Sequence, residues 1–352
     1  MRISKIIILF SSFALIGAGC FGGGTKSTGA DGGVFKTLDA GATWSQKAAI
    51  VSSSGVGSIA STNILNLEID PQDSRTLYAG SFEHGMFYTI DGATTWQQPR
   101  EAGLKEGTIS AIEVDPKDVC TVYVAKGQRL FKSFDCLRSF TSEAYIETRT
   151  NVSVRRIAVD WYNPLIVWMG LSNGDVLKSE DGGVRWQSSL AGKSAVTGIL
   201  VNNADSRVVL VATEGGGFYK TIDSGVTWTH VSDELKDFKK GASVSTIVQN
   251  KDGSVLIAAT GYGLLRSKDF GSTWEGITLL SAPGQVEIFS IAMDTANTAT
   301  IMYASGTTFY RSIDSGVTWT TAKISSARTP MAMLLDPSDA NSIYLGVMST
   351  EK

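Results

Sequence analysis

The chain has 352 residues, 43% of them hydrophobic, with 31 basic against 34 acidic side chains and a net charge of −3. That slightly acidic balance, without a basic run, excludes a nucleic-acid-binding face, and the length is ample for a large core. Two histidines, His84 and His230, and three cysteines show no metal-ligand spacing, so neither a metal nor another cofactor is expected.

The chain begins with Met1-Arg2-Ile3-Ser4-Lys5, a short basic segment, followed by an apolar run from Ile6 to Gly19 that is too short to span a bilayer comfortably. Residues 1–19 therefore read as a secretory signal. The run ends Gly17-Ala18-Gly19-Cys20, which resembles a bacterial lipoprotein signal, where a small residue precedes the cysteine that is lipidated. The Leu usual three residues before that cysteine is missing here. Residues 20–32 are Gly-rich and read as a flexible tether. Removal of residues 1–19 takes away Arg2 and Lys5, moving the net charge from −3 to −5. The expected setting is the cell envelope, with the protein exported and held by a lipid on Cys20 at the outer side of a bacterial membrane.

From residue 33 to 352 one domain of repeats follows. An apolar pair, Val34-Phe35, leads into the octet Thr37 to Trp44; then come Leu67-Glu68-Ile69-Asp70-Pro71, Leu77-Tyr78-Ala79-Gly80 and Phe87-Tyr88, and the octet returns. Its seven Asp residues are Asp39, Asp91, Asp135, Asp181, Asp223, Asp269 and Asp314, spaced 42 to 52 residues apart. This is the length of one four-stranded propeller blade. The Leu67 segment has counterparts at Ile112, Ile157, Ile291 and Met333, which read as innermost strands ending in a turn. The β-branched and aromatic segments that follow suit a buried second strand.

The octet itself reads as a turn. A short carboxylate accepts hydrogen bonds from nearby N–H groups, Gly two residues later permits positive φ, Thr resumes extended structure, and Trp offers an apolar face. The tryptophans are Trp44, Trp96, Trp186, Trp228, Trp274 and Trp319. Seven carboxylates on seven blades cannot converge on one substrate, so these Asp residues read as structural and no catalytic residue is assigned among them.

These octets resemble the Asp-box, or BNR, repeats of sialidases, xyloglucanases, sortilin and the photosystem II assembly-factor propellers. Thr37 to Trp44, Ser179 to Trp186, Thr221 to Trp228, Ser267 to Trp274 and Ser312 to Trp319 match well, although Arg185 replaces the usual Thr in the second of these. The copy at Asp91 has Ala93 for Gly, and the copy at Asp135 has Leu137, Ser139 and Phe140 for Gly, Thr and Trp. The first octet has no inner strands before it, and the last inner pair has no octet after it. The expected fold is an all-β, seven-bladed propeller of four-stranded antiparallel blades, closed by C-terminal strands pairing with N-terminal ones.

In a four-stranded meander the turns after the first and third strands lie on one face. Cys120 and Cys136 fall in those two turns of one blade, so an exported setting predicts a disulfide between them. The opposite face carries the unusual loop chemistry: Glu83 and His84; Glu143, Tyr145, Glu147 and Arg149; Arg155 and Arg156 at the head of an inner strand; and Asp233 to Lys240, with Lys239 and Lys240. Arg149, Arg155 and Arg156 read as a small anion-binding cluster.

On function, the resemblance to the photosystem II assembly factors implies a tethered, non-catalytic propeller that binds a protein partner or helps assemble a complex. The competing reading is a glycoside hydrolase of sialidase or xyloglucanase type. Against it, the chain lacks the Arg-Ile-Pro motif of sialidases, and it has one propeller where xyloglucanase-type enzymes use a two-propeller cleft with paired carboxylates.

Overall fold

Each repeat alternates short β-branched strands with Gly- and Asp-rich turns, so each collapses into an antiparallel meander. The computed structural model describes residues 30–52, 55–231 and 233–350. The segment read as a signal, Cys20 and most of the stretch read as a tether lie outside the described residues. Seven meanders stand radially as blades, with inner strands Ile64–Ile69, Ile109–Val114, Val154–Val159, Val196–Val201, Val244–Gln249, Ser290–Met293 and Thr329–Asp336 around a central channel. We number the blades one to seven in this order.

Blades two to six are consecutive four-stranded sheets. Blade seven is assembled from both chain ends, in the order Ser45–Lys47, Gly33–Thr37, Asp339–Met348, Thr329–Asp336. There Gly33 pairs with Val347 and Thr37 with Ile343, so the ring closes through backbone hydrogen bonds, as the unmatched terminal repeats require. The all-β, seven-bladed architecture expected from the octet spacing is the one observed. Blade one departs from the regular plan. Its sheet has three strands, Ile64–Ile69, Leu77–Ser81 and Met86–Thr89, and the fourth position is held by the isolated Tyr88–Gln97 bridge. A hairpin of Ala49–Ser52 and Gly55–Ser58, which the repeat pattern does not announce, leans on this edge through the Ile50–Trp96 bridge.

The core lies between blades. Tyr123, Trp168, Tyr303 and Tyr344, all on second strands, are at most 1% exposed. Burying one such side chain stabilises the fold by roughly 2–3 kcal/mol. Six inner strands share one irregularity, a one-residue register slip at their heads: between Ile64 and Asn66, Ile109 and Ala111, Val154 and Arg156, Val196 and Gly198, Val244 and Thr246, and Pro330 and Ala332. A bulge leaves its extra residue unpaired and re-aims its side chain. The skipped residues Leu65, Ser110, Arg155, Thr197, Ser245 and Met331 all line the channel.

All seven octets close the same turn. In blade four the Thr221 hydroxyl donates to Asp223 Oδ1 at 2.7 Å and accepts from the Gly225 N–H at 2.9 Å; Asp223 in turn accepts from the Thr227 N–H and hydroxyl at 2.9 and 2.6 Å. The divergent copy in blade two keeps this network through Ser133, Asp135 and Ser139. It does so with Cys136 and Leu137 both at positive φ, 56° and 65°, a region that side chains resist. In that turn the Cys136 N–H donates to the Cys120 carbonyl at 3.2 Å, and the structure joins the two cysteines, with Cα atoms 3.9 Å apart.

Two outcomes test this packing. Non-reducing peptide mapping should recover Cys120 and Cys136 in one linked peptide. Thr221→Val keeps the shape but strands the half-buried Gly225 N–H, so thermal denaturation should show a loss of about 1 kcal/mol or more. An unchanged midpoint would mean that the hydroxyl is dispensable.

Candidate functional site

The octet face is a set of separate turns with their hydrogen-bonding capacity spent internally. Asp39, Asp223 and Asp314 are each held down to about 2, mainly by hydroxyl donors of their own turn. Asp181 lies lower still because Arg185 adds a 2.7 Å ion pair. Such carboxylates are poor proton donors or acceptors near neutrality. The tryptophans serve the blade junctions: Trp96 Nε1 donates to the Lys47 carbonyl at 2.9 Å, Trp186 to Ala144 at 3.2 Å, and Trp319 to Thr278 at 2.8 Å. Trp228 donates to Ser189 Oγ at 3.1 Å, Trp44 meets the Phe309 ring edge-on at 5.3 Å, and Trp274 stacks on Phe218 at 4.4 Å.

On the opposite face the loop candidates do not gather. Glu83 and His84 are exposed in the turn between the second and third strands of blade one, where the His84 N–H donates to Ser81 Oγ. Lys239 and Lys240 lie exposed in the link between blades four and five. Tyr145, Glu147 and Arg149 form a closed knot. The 4%-exposed Glu147 accepts from the Tyr145 hydroxyl at 2.7 Å and from Arg149 Nε and Nη2 at 2.9 and 2.8 Å, while Arg149 Nη1 reaches Asp175 at 2.6 Å. Glu147 is thereby lowered to about 2, chiefly by Arg149, and burial raises the Tyr145 hydroxyl. The expected cluster of Arg149 with Arg155 and Arg156 is therefore not formed. Arg149 is neutralised by two carboxylates, and only the consecutive pair on blade three faces the channel.

The channel is where unusual chemistry converges. Its cavity, about 480 Å³, is walled by inner strands and includes Glu68, Glu113, Arg155 and Arg156. Glu68 and Glu113 occupy the same position on the inner strands of blades one and two, each two residues before the Asp that ends its strand, Asp70 and Asp115. Burial pushes both carboxyls up; Glu68 is raised further by the charge of Glu113 and then Asp70, whereas Glu113 accepts the Val159 N–H at 3.2 Å and stands at about 8. The two carboxyls titrate as one coupled pair, the charge on one raising the other, so the first proton leaves more easily than the second. Sequence reading passed over both as strand residues. The available signal was a carboxylate flanked by apolar residues in Leu67-Glu68-Ile69, repeated 45 residues on in Ile112-Glu113-Val114.

Nearer the strand heads, Arg156 lies across three blades. Its Nε donates to the Thr197 carbonyl at 2.7 Å, and its Nη1 to the carbonyls of Arg155 at 2.7 Å and Ser110 at 3.5 Å. Burial first, and the Arg155 charge second, lower it to about 10. Arg155, the bulge residue, is exposed at the mouth.

No family model matches the chain. Among curated proteins it is similar to a xyloglucanase of Hypocrea jecorina (strain QM6a), 28% identical over 170 residues that cover 43% of this chain and 20% of that enzyme. A xyloglucanase of Paenibacillus sp. is 27% identical over 169 residues, covering 42% of this chain and 16% of that protein. The chain thus spans about a fifth of the length of the curated relatives it matches. Among solved structures, the GH74 enzyme of Niastella koreensis superposes with a TM-score of 0.65 at 16% identity, covering 89% of this chain and 53% of that one. YCF48 bound to a D1 peptide superposes with a TM-score of 0.62 at 16% identity, covering 81% and 93%. At these identities the solved structures establish a shared seven-bladed fold.

The sequence relatives correct the functional expectation. A non-catalytic, partner-binding propeller was expected, with no enzymatic activity; both curated relatives are instead named as xyloglucanases, and propellers of GH74 enzymes share the fold. The expectation weighed a missing Arg-Ile-Pro motif and a single propeller and looked for unusual chemistry on loops, while the raised carboxyls of this chain lie on strands facing the channel.

The pair predicts an inverted pH dependence. Glu68 and Glu113 hold protons more tightly folded than unfolded, so the stability they contribute falls as pH rises from about 4.5 towards 8. The octet carboxylates, whose values are lowered, lose their contribution only below that window. The thermal midpoint of the wild type should therefore drop between pH 5 and pH 8, and Glu113→Gln should flatten that slope. A wild-type midpoint that rises through this interval would rule out the raised pair.

Proposed function

We propose that this chain is a propeller of glycoside-hydrolase type that acts on a xyloglucan-like polysaccharide. The observation that carries the reading is the sequence similarity to two xyloglucanases. The channel carboxyls support it, because a coupled pair that has lost its first proton presents one protonated and one ionised carboxyl, the combination that hydrolysis of a glycosidic bond needs. In this reading Glu68 is the acid, donating its proton to the departing glycosidic oxygen. Glu113 is the base, taking a proton from the water whose oxygen bonds to the anomeric carbon as the C–O bond breaks.

The N-terminal segment fits an envelope enzyme. In the proposed mature form, residues 1–19 are removed, Cys20 carries a lipid, and residues 20–32 tether the 33–352 propeller, with its Asp-box turns, on the outer side of a membrane where polysaccharide is met. Cys20→Ser should release the protein from the membrane fraction and abolish incorporation of labelled fatty acid.

The mature protein should release reducing ends from xyloglucan or a related β-glucan. Glu68→Gln and Glu113→Gln should each lower kcat about 10²- to 10⁴-fold with little change in KM. No turnover of any member of a plant and microbial glycan panel would overturn the proposal; turnover unaffected by both substitutions would remove the channel pair from the chemistry.

A further inference from the structure

Arg156 places a charge in the channel wall without a counter-charge. Each of its protein hydrogen bonds goes to a neutral backbone carbonyl, of Thr197, Arg155 or Ser110, and its Nη2 donates to no protein group. No ion pair involves Arg155 or Arg156 among the described residues. The raised carboxyls do not serve as counter-ions. Glu113 sits near the far end of its strand and bonds to Val159, and neither it nor Glu68 forms an ion pair among the described residues. Desolvating a cation without a partner is costly, and the Arg155 charge adds to that cost. Three further polar atoms in the same wall are buried without a partner: Asn66 Oδ1, Thr197 Oγ1 and Ser290 Oγ, the last on a residue 2% exposed. Thr197 contributes its carbonyl to Arg156 and leaves its hydroxyl unused.

We propose that the mouth of the channel is a binding site for a carboxylated sugar, a uronic acid unit, whose carboxylate is held by Arg156 Nη2 and the Arg155 guanidinium. The planar guanidinium matches a carboxylate in geometry and charge. The 480 Å³ cavity is within the range of small-molecule sites, about 300–1,000 Å³. The saccharide part of the assignment rests on the glycan reading above; the carboxylate part rests on the two arginines alone.

The test is titration calorimetry of the mature protein with glucuronate, glucose and acetate at low and moderate salt. Glucuronate is expected to bind, more weakly as salt rises, while glucose and acetate bind at least ten times more weakly. Arg156→Gln is expected to weaken glucuronate at least tenfold, and Arg155→Gln, at the exposed position, about threefold. Arg156→Gln also gives up three carbonyl hydrogen bonds, so its circular dichroism spectrum and thermal midpoint are measured beside the titration, and the exposed Arg155→Gln, whose thermal midpoint should match wild type, separates loss of the site from loss of the fold. Equal binding of acetate and glucuronate would support the carboxylate site and assign it to free organic acids rather than sugars. Glucuronate that fails to bind, or binds unchanged to both variants, overturns the proposal. Binding without glycan turnover would leave the site standing and remove the hydrolase reading, and turnover without glucuronate binding would do the reverse.

Discussion

The structure depends on one small hydrogen-bonded device, the Ser/Thr–Asp–Thr turn between the third and outer strands of each blade. The first hydroxyl both donates to the Asp and accepts a backbone N–H two residues beyond it, and the Asp accepts two hydrogen bonds from the Thr that leads into the outer strand. This satisfies turn groups that would otherwise be stranded near the core. It also forces the chain through two consecutive positive-φ positions, such as Ala40 at 57° and Gly41 at 95°. A side chain on Gly41 would collide with the Phe309 ring of the neighbouring blade. The glycine thus serves the turn and the blade contact at once.

Coupling between blades follows from the same element. The octet tryptophan reaches back to the outer strand of the preceding blade. A cation on the third strand reaches forward to a carbonyl in the next octet: Lys36 to Gly92 at 3.2 Å, Lys132 to Gly182 at 2.6 Å, Lys220 to Asp269 at 3.0 Å, and Arg266 to Ser315. Lys36 and Lys132 also lie 4.7 Å from the ring centroids of Tyr344 and Tyr123. Burial lowers both ammonium groups, a cost offset by the carbonyl bonds and the ring faces. The divergent octet of blade two gives up its Gly and Trp and retains its hydroxyls and Asp, with the Cys120–Cys136 link closing the same turn.

With one face and the blade junctions committed to structure, function is left to the inner strands. Six bulged strand heads turn one residue each towards the axis, and blade three uses that place for Arg155, followed by Arg156. On the two preceding blades, the lower part of the wall carries Glu68 and Glu113. The channel therefore has a cationic mouth above a coupled pair of carboxyls raised by burial.

The sequence by itself determined the blade count, the phase of each blade and the closure of the ring, because those follow from local turn chemistry repeated at a fixed period and from an octet left without inner strands at one end and inner strands without an octet at the other. It also placed Cys120 and Cys136 in neighbouring turns of one blade, since a meander fixes which turns share a face. The channel site was not legible in the same way. Arg149 stands six residues from Arg155 and appeared to be its companion, yet it bonds to Glu147 and Asp175. Glu68 and Glu113 lie 45 residues apart and come to face one cavity only when blades one and two stand side by side. Tertiary structure alone decided these pairings, because whether a strand residue faces the channel or a neighbouring blade depends on bulges and on how the blades pack, and no single repeat encodes either.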